Sequence, residues 1–360
     1  MVRKEISNVF FEAERLKYEN VGLYHFCKNL GNALIEESSH NHKISFHIFG
    51  PKNDPNFSNY PNFKSVKLID KISLSFNSQV DIWHSTYQFS SYIPKSKRIK
   101  NILTVHDLNF LREKSESKQK GYLKKLQRNI DRVDTIVCIS NFVAEELKKH
   151  IDIKGKEVSI IYNGNNINNT IEGKEFEIPG MDSTKPFLFY IGAILPKKNI
   201  QILPYLLKNN SFNLIISGQI FDVNYVDSIK ELTHTLGIEN RVFFTGPISE
   251  QEKIYFLKNC AFFCFPSLTE GFGLPVVEAM NYGKPLLLSS ATCLPEIAGD
   301  EAFYFESYDA EYLIQLGEKI SVWTQTEEQK SKLIERSKEF SWQKAAKEYM
   351  KLYLKLSDDE

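Results

Sequence analysis

The chain has no apolar run near the ~20 residues that would cross a bilayer. Its opening stretch, MVRKEISNVFFEAER, is charged and has no apolar core of the kind a secretory leader carries. Cysteine is scarce: there are five in 360 residues, an odd number with no His or Cys cluster beside them. That argues against a disulfide framework and for reduced, buried thiols, since Cys138, Cys260 and Cys264 lie in apolar runs. Net charge is absent as well: 45 basic and 45 acidic residues cancel, which disfavours nucleic acid as the main partner. No Gly-x-Gly-x-x-Gly follows an early strand, and no Gly-x-Ser-x-Gly occurs. A dinucleotide-dependent redox enzyme and a serine hydrolase are therefore not expected. What remains is a cytoplasmic globular chain, 42% apolar, long enough for two domains.

The cancelled charge is split along the chain. Residues 1–178 hold 27 Lys and Arg against 21 Asp and Glu, or +6, and the remainder is −6. The excess sits in KSKRIK (95–100) and REKSESKQKGYLKKLQR (112–128). Two readings stand: a solvated face, or a surface that meets anionic lipid or a diphosphate-bearing acceptor.

Apolar, β-branched runs alternate with helical patterns, which predicts βαβ units around parallel sheets. In the first half strands are expected at 44–49, 65–68, 82–84, 99–105, 135–139 and 158–161. Helices are expected at 23–37, 118–132 and 141–150. A polar segment rich in Gly and Pro, 173–186, reads as a linker. The pattern then restarts, with strands at 187–191, 212–217, 242–245, 261–265, 285–289 and 303–305. Helices are expected at 200–207, 223–236, 251–259, 275–282 and 310–323. The tail, 341–356, carries Trp342, Ala346, Tyr349, Met350 and Tyr353 on one helical stripe.

The densest chemistry lies in EGFGLPVVEAM (270–280), after an apolar strand that ends at Pro266. Gly271 and Gly273 let backbone N–H groups approach a ligand closely. A helix starting there offers unpaired N–H groups and a positive dipole end, which suits a phosphate. Glu278, inside the helix, could accept from ribose hydroxyls, and Glu270, before it, could face a sugar ring.

That segment resembles the Glu, seven residues, Glu signature of glycosyltransferase family 4. IGAILPKKN (191–199), TGPISEQEKIYFLKNCAFFCFPS (245–267) and LPEIAGDEAFYF (294–305) extend the match through the C-terminal half. TVHD (104–107) and IYNGNN (161–166) match in patches of the N-terminal half. The resemblance implies an α/β chain of GT-B fold: two Rossmann-like domains facing each other across a cleft. The expected domains are an acceptor-binding domain at 1–178, a nucleotide-sugar domain at 179–340 and a final helix, 341–360, returning to the first domain.

The resemblance also implies roles. His106 would touch the transferred sugar, Lys198 would stabilise the departing diphosphate, and Glu270 would hold sugar hydroxyls. Donor contacts would come from Gly192, Lys197, Ser217, Gly218, Gly246, Pro247, Phe272, Gly273, Leu274 and Glu278. Gly22, with one glycine where the family shows a richer loop, would let a phosphate or the acceptor approach. His84 and Asp107 would stand on the acceptor side. Ala193 occupies a position where the family commonly has Arg, so Lys197 is expected to replace that cation. No Asp-x-Asp motif occurs, and no metal or other cofactor is expected.

The expected activity is retaining transfer of a hexose from a nucleoside diphosphate sugar to a hydroxyl of a glycan or lipid-linked acceptor, in cell-surface polysaccharide synthesis. GDP-mannose is favoured and UDP-sugars are the alternative. The enzyme would be cytoplasmic or peripheral at the inner membrane face through its basic patches. Other readings are a sugar phosphate synthase, a nucleotide-sugar epimerase or a non-catalytic sugar-nucleotide-binding subunit.

Overall fold

Strands made of continuous Val, Ile, Leu and Phe are buried on both faces, as parallel sheets covered by helices require. The computed structural model describes residues 6–19, 22–67, 70 and 79–358, and they divide into two compact units. The first comprises Met1–Asn166 with Phe340–Glu360, and the second comprises Ile167–Glu339.

The N-terminal unit runs β1 (Ser7–Glu12), α1 (Gly22–Ser39), β2 (Ile44–Gly50), β3 (Phe63–Ser65), β4 (Ile82–Ser85) and β5 (Lys100–Val105). It continues through α2 (Phe110–Glu113), α3 (Glu116–Ile130), β6 (Thr135–Cys138), α4 (Asn141–His150) and β7 (Glu157–Ile160). Its seven parallel strands lie in the order β3-β2-β1-β4-β5-β6-β7. Strand β1 was not expected from the sequence, although it is central. Its register pairs Val9 with both Phe46 of β2 and Ile82 of β4. The charged residues around it disguise six residues whose Val9, Phe10 and Phe11 are fully buried. Strand β3 also falls earlier than the expected 65–68, and residue 68 lies outside the described residues.

The C-terminal unit runs β8 (Phe187–Ile191), β9 (Asn213–Ser217), α5 (Val223–Leu236), β10 (Val242–Gly246), α6 (Glu250–Asn259), β11 (Phe262–Phe265) and α7 (Leu274–Asn281). Then come β12 (Leu286–Ser289), α8 (Leu294–Ala298), β13 (Phe303–Phe305), α9 (Ala310–Ser321) and α10 (Glu327–Ser337). Six parallel strands lie in the order β10-β9-β8-β11-β12-β13. The expected helix at 200–207 is a 3-10 helix with Pro204 inside it. Asp222 caps α5, while the Ser249–Glu252 capping box fixes the start of α6.

The division falls at Asn166, ahead of the boundary expected at 178. The polar segment there is not a free linker. Lys174 donates its backbone N–H to the Gln251 carbonyl at 3.1 Å, and the Phe176 ring meets Phe256 edge-on at 5.8 Å. Both contacts tie the segment to α6 of the second unit.

The final helix, α11 (Trp342–Asp358), packs along α1 and against β4, as its apolar stripe suggested. Tyr349 and Tyr353 are buried. This packing corrects the acceptor-side role expected for His84. The His84 ring is fully buried, with Nδ1 2.7 Å from Tyr353 Oη and Nε2 2.8 Å from Thr104 Oγ1. It stacks on Tyr349 at 4.7 Å, and Thr104 Oγ1 lies 2.9 Å from Tyr349 Oη. Burial drives its pKa down to about 3, so the ring is neutral and one nitrogen donates while the other accepts. His84 therefore anchors the returning helix to the sheet, with both ring nitrogens taken by protein partners.

Candidate active site

Each sheet reverses its strand order once, at β1/β4 in the N-terminal unit and at β8/β11 in the C-terminal unit. Ligands of open parallel sheets bind beyond the carboxyl ends of the strands at such a point. In the C-terminal unit the two segments leaving that point carry most of the residues singled out from the sequence.

After β8 the chain passes Gly192 and makes a 3-10 turn over Pro196–Lys198. After β11 it runs through Ser267 to Glu270. The two segments are tied by a hydrogen bond from the Leu268 N–H to the Lys197 carbonyl, 2.9 Å long. Lys198 and Glu270 form an ion pair, with side chains 13% and 14% exposed. The Lys198 ammonium also lies 5.3 Å from the Phe265 ring centroid. The Glu270 N–H donates to Thr292 Oγ1 at 3.2 Å, and Thr292 holds a left-handed φ of 61°, a strained conformation for a β-branched residue. The carboxylate of Glu270 and burial together push the Tyr190 phenol up, burial being the larger cause.

Gly192 and Gly218 sit at the ends of β8 and β9. A Cβ on Gly218 would lie 1.9 Å from the Gly192 carbonyl oxygen, and both have positive φ, 156° and 133°. Only glycine allows this approach. Ser217, fully buried, accepts from Thr245 Oγ1 at 2.8 Å, and the Gly218 N–H donates to the Gly246 carbonyl at 2.8 Å. Gly246 and the exposed Pro247 close β10 at the same edge.

Helix α7 opens at Gly273, whose φ is 93° and whose Cβ would strike Leu294 Cδ2 at 2.8 Å. The N–H groups of Gly273 and Leu274 find no acceptor among the described residues, so the positive end of α7 can take an anion. Phe272, just before the helix start, is buried.

Glu278, one turn further, is 5% exposed. Lys253 of α6 lies 3.2 Å from its carboxylate and 2.9 Å from that of Glu250. Burial pushes the Lys253 pKa down, but Glu278 and Glu250 outweigh it and the net shift is upward, so Lys253 is charged. The sequence reading missed Lys253. The signal was its place three residues after Glu250 in a helix whose start the capping box marks.

In the N-terminal unit His106 directly follows β5 and is 7% exposed. Its Nε2 donates to the Thr86 carbonyl at 2.7 Å, and Phe26 meets the ring edge-on at 4.6 Å. Burial lowers its pKa to about 4, so Nδ1 carries a lone pair at neutral pH. Nδ1 has no hydrogen-bond partner among the described residues. Asp107 accepts the Asn109 N–H at 3.0 Å and shapes the turn into α2. Gly22 opens α1 in open space, where a Cβ would meet nothing within 4 Å, so no close approach reserves that position for glycine. The reading also missed Glu12, Arg15 and Tyr87, because the strand that positions the first two was not recognised.

Two family models cover the chain. Residues 172–340 match the model described as glycosyl transferases group 1, and residues 13–169 match glycosyltransferase family 4. An uncharacterized glycosyltransferase of Methanocaldococcus jannaschii is 29% identical over 294 residues, covering 78% of this chain and 76% of that protein. The serotype-specific mannosyltransferase WbdA of Escherichia coli is 28% identical over 69% of this chain, an alignment that spans 32% of the longer relative. The O-antigen chain mannosyltransferase RfbU of Salmonella typhimurium is 29% identical over 58% of this chain and 57% of its own length. Among solved structures, a sucrose-phosphate synthase from Thermosynechococcus elongatus superposes with a TM-score of 0.77 at 18% identity, over 98% of this chain and 100% of that one. With its two parallel-sheet units, its switch-point residues and both family models in agreement, the chain belongs to the family 4 glycosyltransferases of GT-B fold.

Proposed function

We propose that this enzyme transfers a hexose, with retention of anomeric configuration, from a nucleoside diphosphate sugar to a hydroxyl of a glycan or lipid-linked acceptor in cell-surface polysaccharide synthesis. GDP-mannose is the favoured donor and a UDP-sugar the alternative. The observation that carries this is the Lys198–Glu270 pair at the β8/β11 switch point, beside the open N-terminus of α7. Its mannosyl leaning is supported by the names of the Escherichia coli and Salmonella relatives.

In this reading Glu278 accepts from the ribose hydroxyls while Lys253 holds its carboxylate in place. The diphosphate lies at the start of α7, between the N–H groups of Gly273 and Leu274 and the ammonium groups of Lys198 and Lys197. These cations would stabilise the charge that grows on the leaving group without a metal. Glu270 orients the sugar hydroxyls. The bond from the anomeric carbon to the diphosphate oxygen breaks as the acceptor oxygen bonds on the same face. The acceptor proton passes to the departing diphosphate, giving a glycoside and a nucleoside diphosphate. Neutral His106 accepts a sugar hydroxyl at Nδ1.

The exposed Lys95, Lys97 and Arg98, and Lys118, Lys120, Lys124 and Arg128 around α3, would hold the enzyme at an anionic inner membrane face. No helix among the described residues is long and apolar enough to cross a membrane.

The test is the product. With an α-linked donor, proton NMR of the purified glycoside should show only the α anomeric signal. A β product would overturn the retaining assignment.

A further inference from the structure

The carboxyl edge of the N-terminal sheet carries a second constellation at its own switch point. The chain leaves β1 at Glu12 and turns through a 3-10 helix, Glu14–Lys17, and it leaves β4 toward Tyr87 and Phe89. The Arg15 guanidinium lies 3.9 Å from the Tyr87 ring centroid and 5.5 Å from that of Tyr18. Its side chain is 24% exposed, and it donates no hydrogen bond to a described residue. Its nearest carboxylate oxygen is that of Glu14, 3.7 Å from Nε, and Glu14 is shared with Lys17.

A second cation approaches from α3. The Lys125 ammonium lies 5.6 Å from the Phe89 ring centroid and has no ion pair among the described residues. Partial burial, then the nearby Arg15 and Arg128, hold its pKa below the usual lysine range. Between these cations runs an aromatic face. Tyr87 meets Phe89 at 5.6 Å, Phe89 meets Tyr122 at 5.2 Å, and Tyr122 is 37% exposed.

Arg15 is fixed by stacking, keeps its hydrogen-bond donors unspent and shares its one carboxylate with Lys17, and Lys125 has no ion pair among the described residues, so together they describe a site that can take a further anion. Glu12, which interacts electrostatically with Arg15, is 2% exposed and accepts from Ser90 Oγ at 2.7 Å, and burial raises its pKa to about 7, so it neutralises Arg15 poorly. The exposed tyrosines offer faces on which a sugar ring or an alkyl chain can lie.

We infer that Arg15 and Lys125 bind a phosphate or diphosphate group of the acceptor, with Tyr87, Tyr18 and Tyr122 flanking it. This rests on the reading of the chain as a glycosyltransferase with its donor in the C-terminal unit. It narrows the acceptor to a phosphorylated one, soluble or lipid-linked.

The experiment is calorimetric titration of inorganic pyrophosphate, and separately of farnesyl diphosphate, into the full chain with GDP or UDP saturating. Pyrophosphate should bind in the presence of nucleotide. Arg15→Gln and Lys125→Gln should each weaken it at least tenfold, with Arg15→Lys intermediate and nucleotide affinity unchanged in all three. Equal affinity for the two probes identifies a soluble phosphorylated glycan, and tenfold tighter farnesyl diphosphate identifies a lipid-linked one. Pyrophosphate that nucleotide displaces, or that Arg15→Gln binds as well as wild type, overturns the inference. Failure of GDP and UDP to bind counts against the donor reading alone, because pyrophosphate binding and its loss in Arg15→Gln still decide the acceptor site.

Discussion

Replacing Lys198 with Ala lowers kcat by about 10²–10³-fold, the size of effect seen when one fixed donor to a developing charge is removed. In the proposed reaction the ammonium would interact more strongly with the leaving diphosphate than with the bound donor, so the loss should appear in kcat more than in KM. Glu270→Ala should lose a similar factor, divided between kcat and KM, because the proposed role has it hold sugar hydroxyls in both states. Either change also breaks an ion pair that is only 13% and 14% exposed, which costs about 1–3 kcal/mol. Assays therefore belong well below the melting temperature, with circular dichroism confirming the folded state. Steady-state kinetics showing near-normal kcat in Lys198→Ala would remove it from the reaction.

Gly218→Ala has the largest structural effect. Its new Cβ would sit 1.9 Å from the Gly192 carbonyl oxygen, which is backbone and cannot rotate away. The φ of 133° is also one that L-residues avoid. Together these cost about 3–5 kcal/mol, a large share of a domain's stability. Separation of β8 from β9 would also carry the Lys198 turn away from Glu270. Gly246→Ala is the matched comparison: its φ is 71°, but the added Cβ meets nothing, so only about 1–2 kcal/mol is expected. Thermal unfolding should rank the two by several degrees. Equal melting temperatures would mean that the Gly192–Gly218 contact relaxes freely.

How much was legible in the sequence follows from how local each signal is. Strands β8 and β13 and helices α4 and α5 matched their expected limits, because their apolar periods and caps are contained within the segment. Strand β1 was not legible, because charged residues flank it on both sides. What makes it a strand is its pairing with β2 and β4, far along the chain. Losing β1 also lost Arg15. The residues proposed for the C-terminal site could be singled out because Lys198, Glu270 and Glu278 lie within recognisable motifs. His84 was misread for the opposite reason. Its position at a strand end was apparent, but the tyrosines that bury it come from a helix more than 260 residues away. Lys253 was hidden in the same way, since its partner Glu278 lies on another helix.

The most direct test of the central assignment is calorimetric titration of GDP-mannose and UDP-glucose, with EDTA present, into wild type and Glu278→Ala. One base should bind wild type without metal, and Glu278→Ala should weaken it at least tenfold. Failure of both donors to bind wild type, or equal affinity in Glu278→Ala, would contradict a nucleotide-sugar site built on β8, β11 and α7.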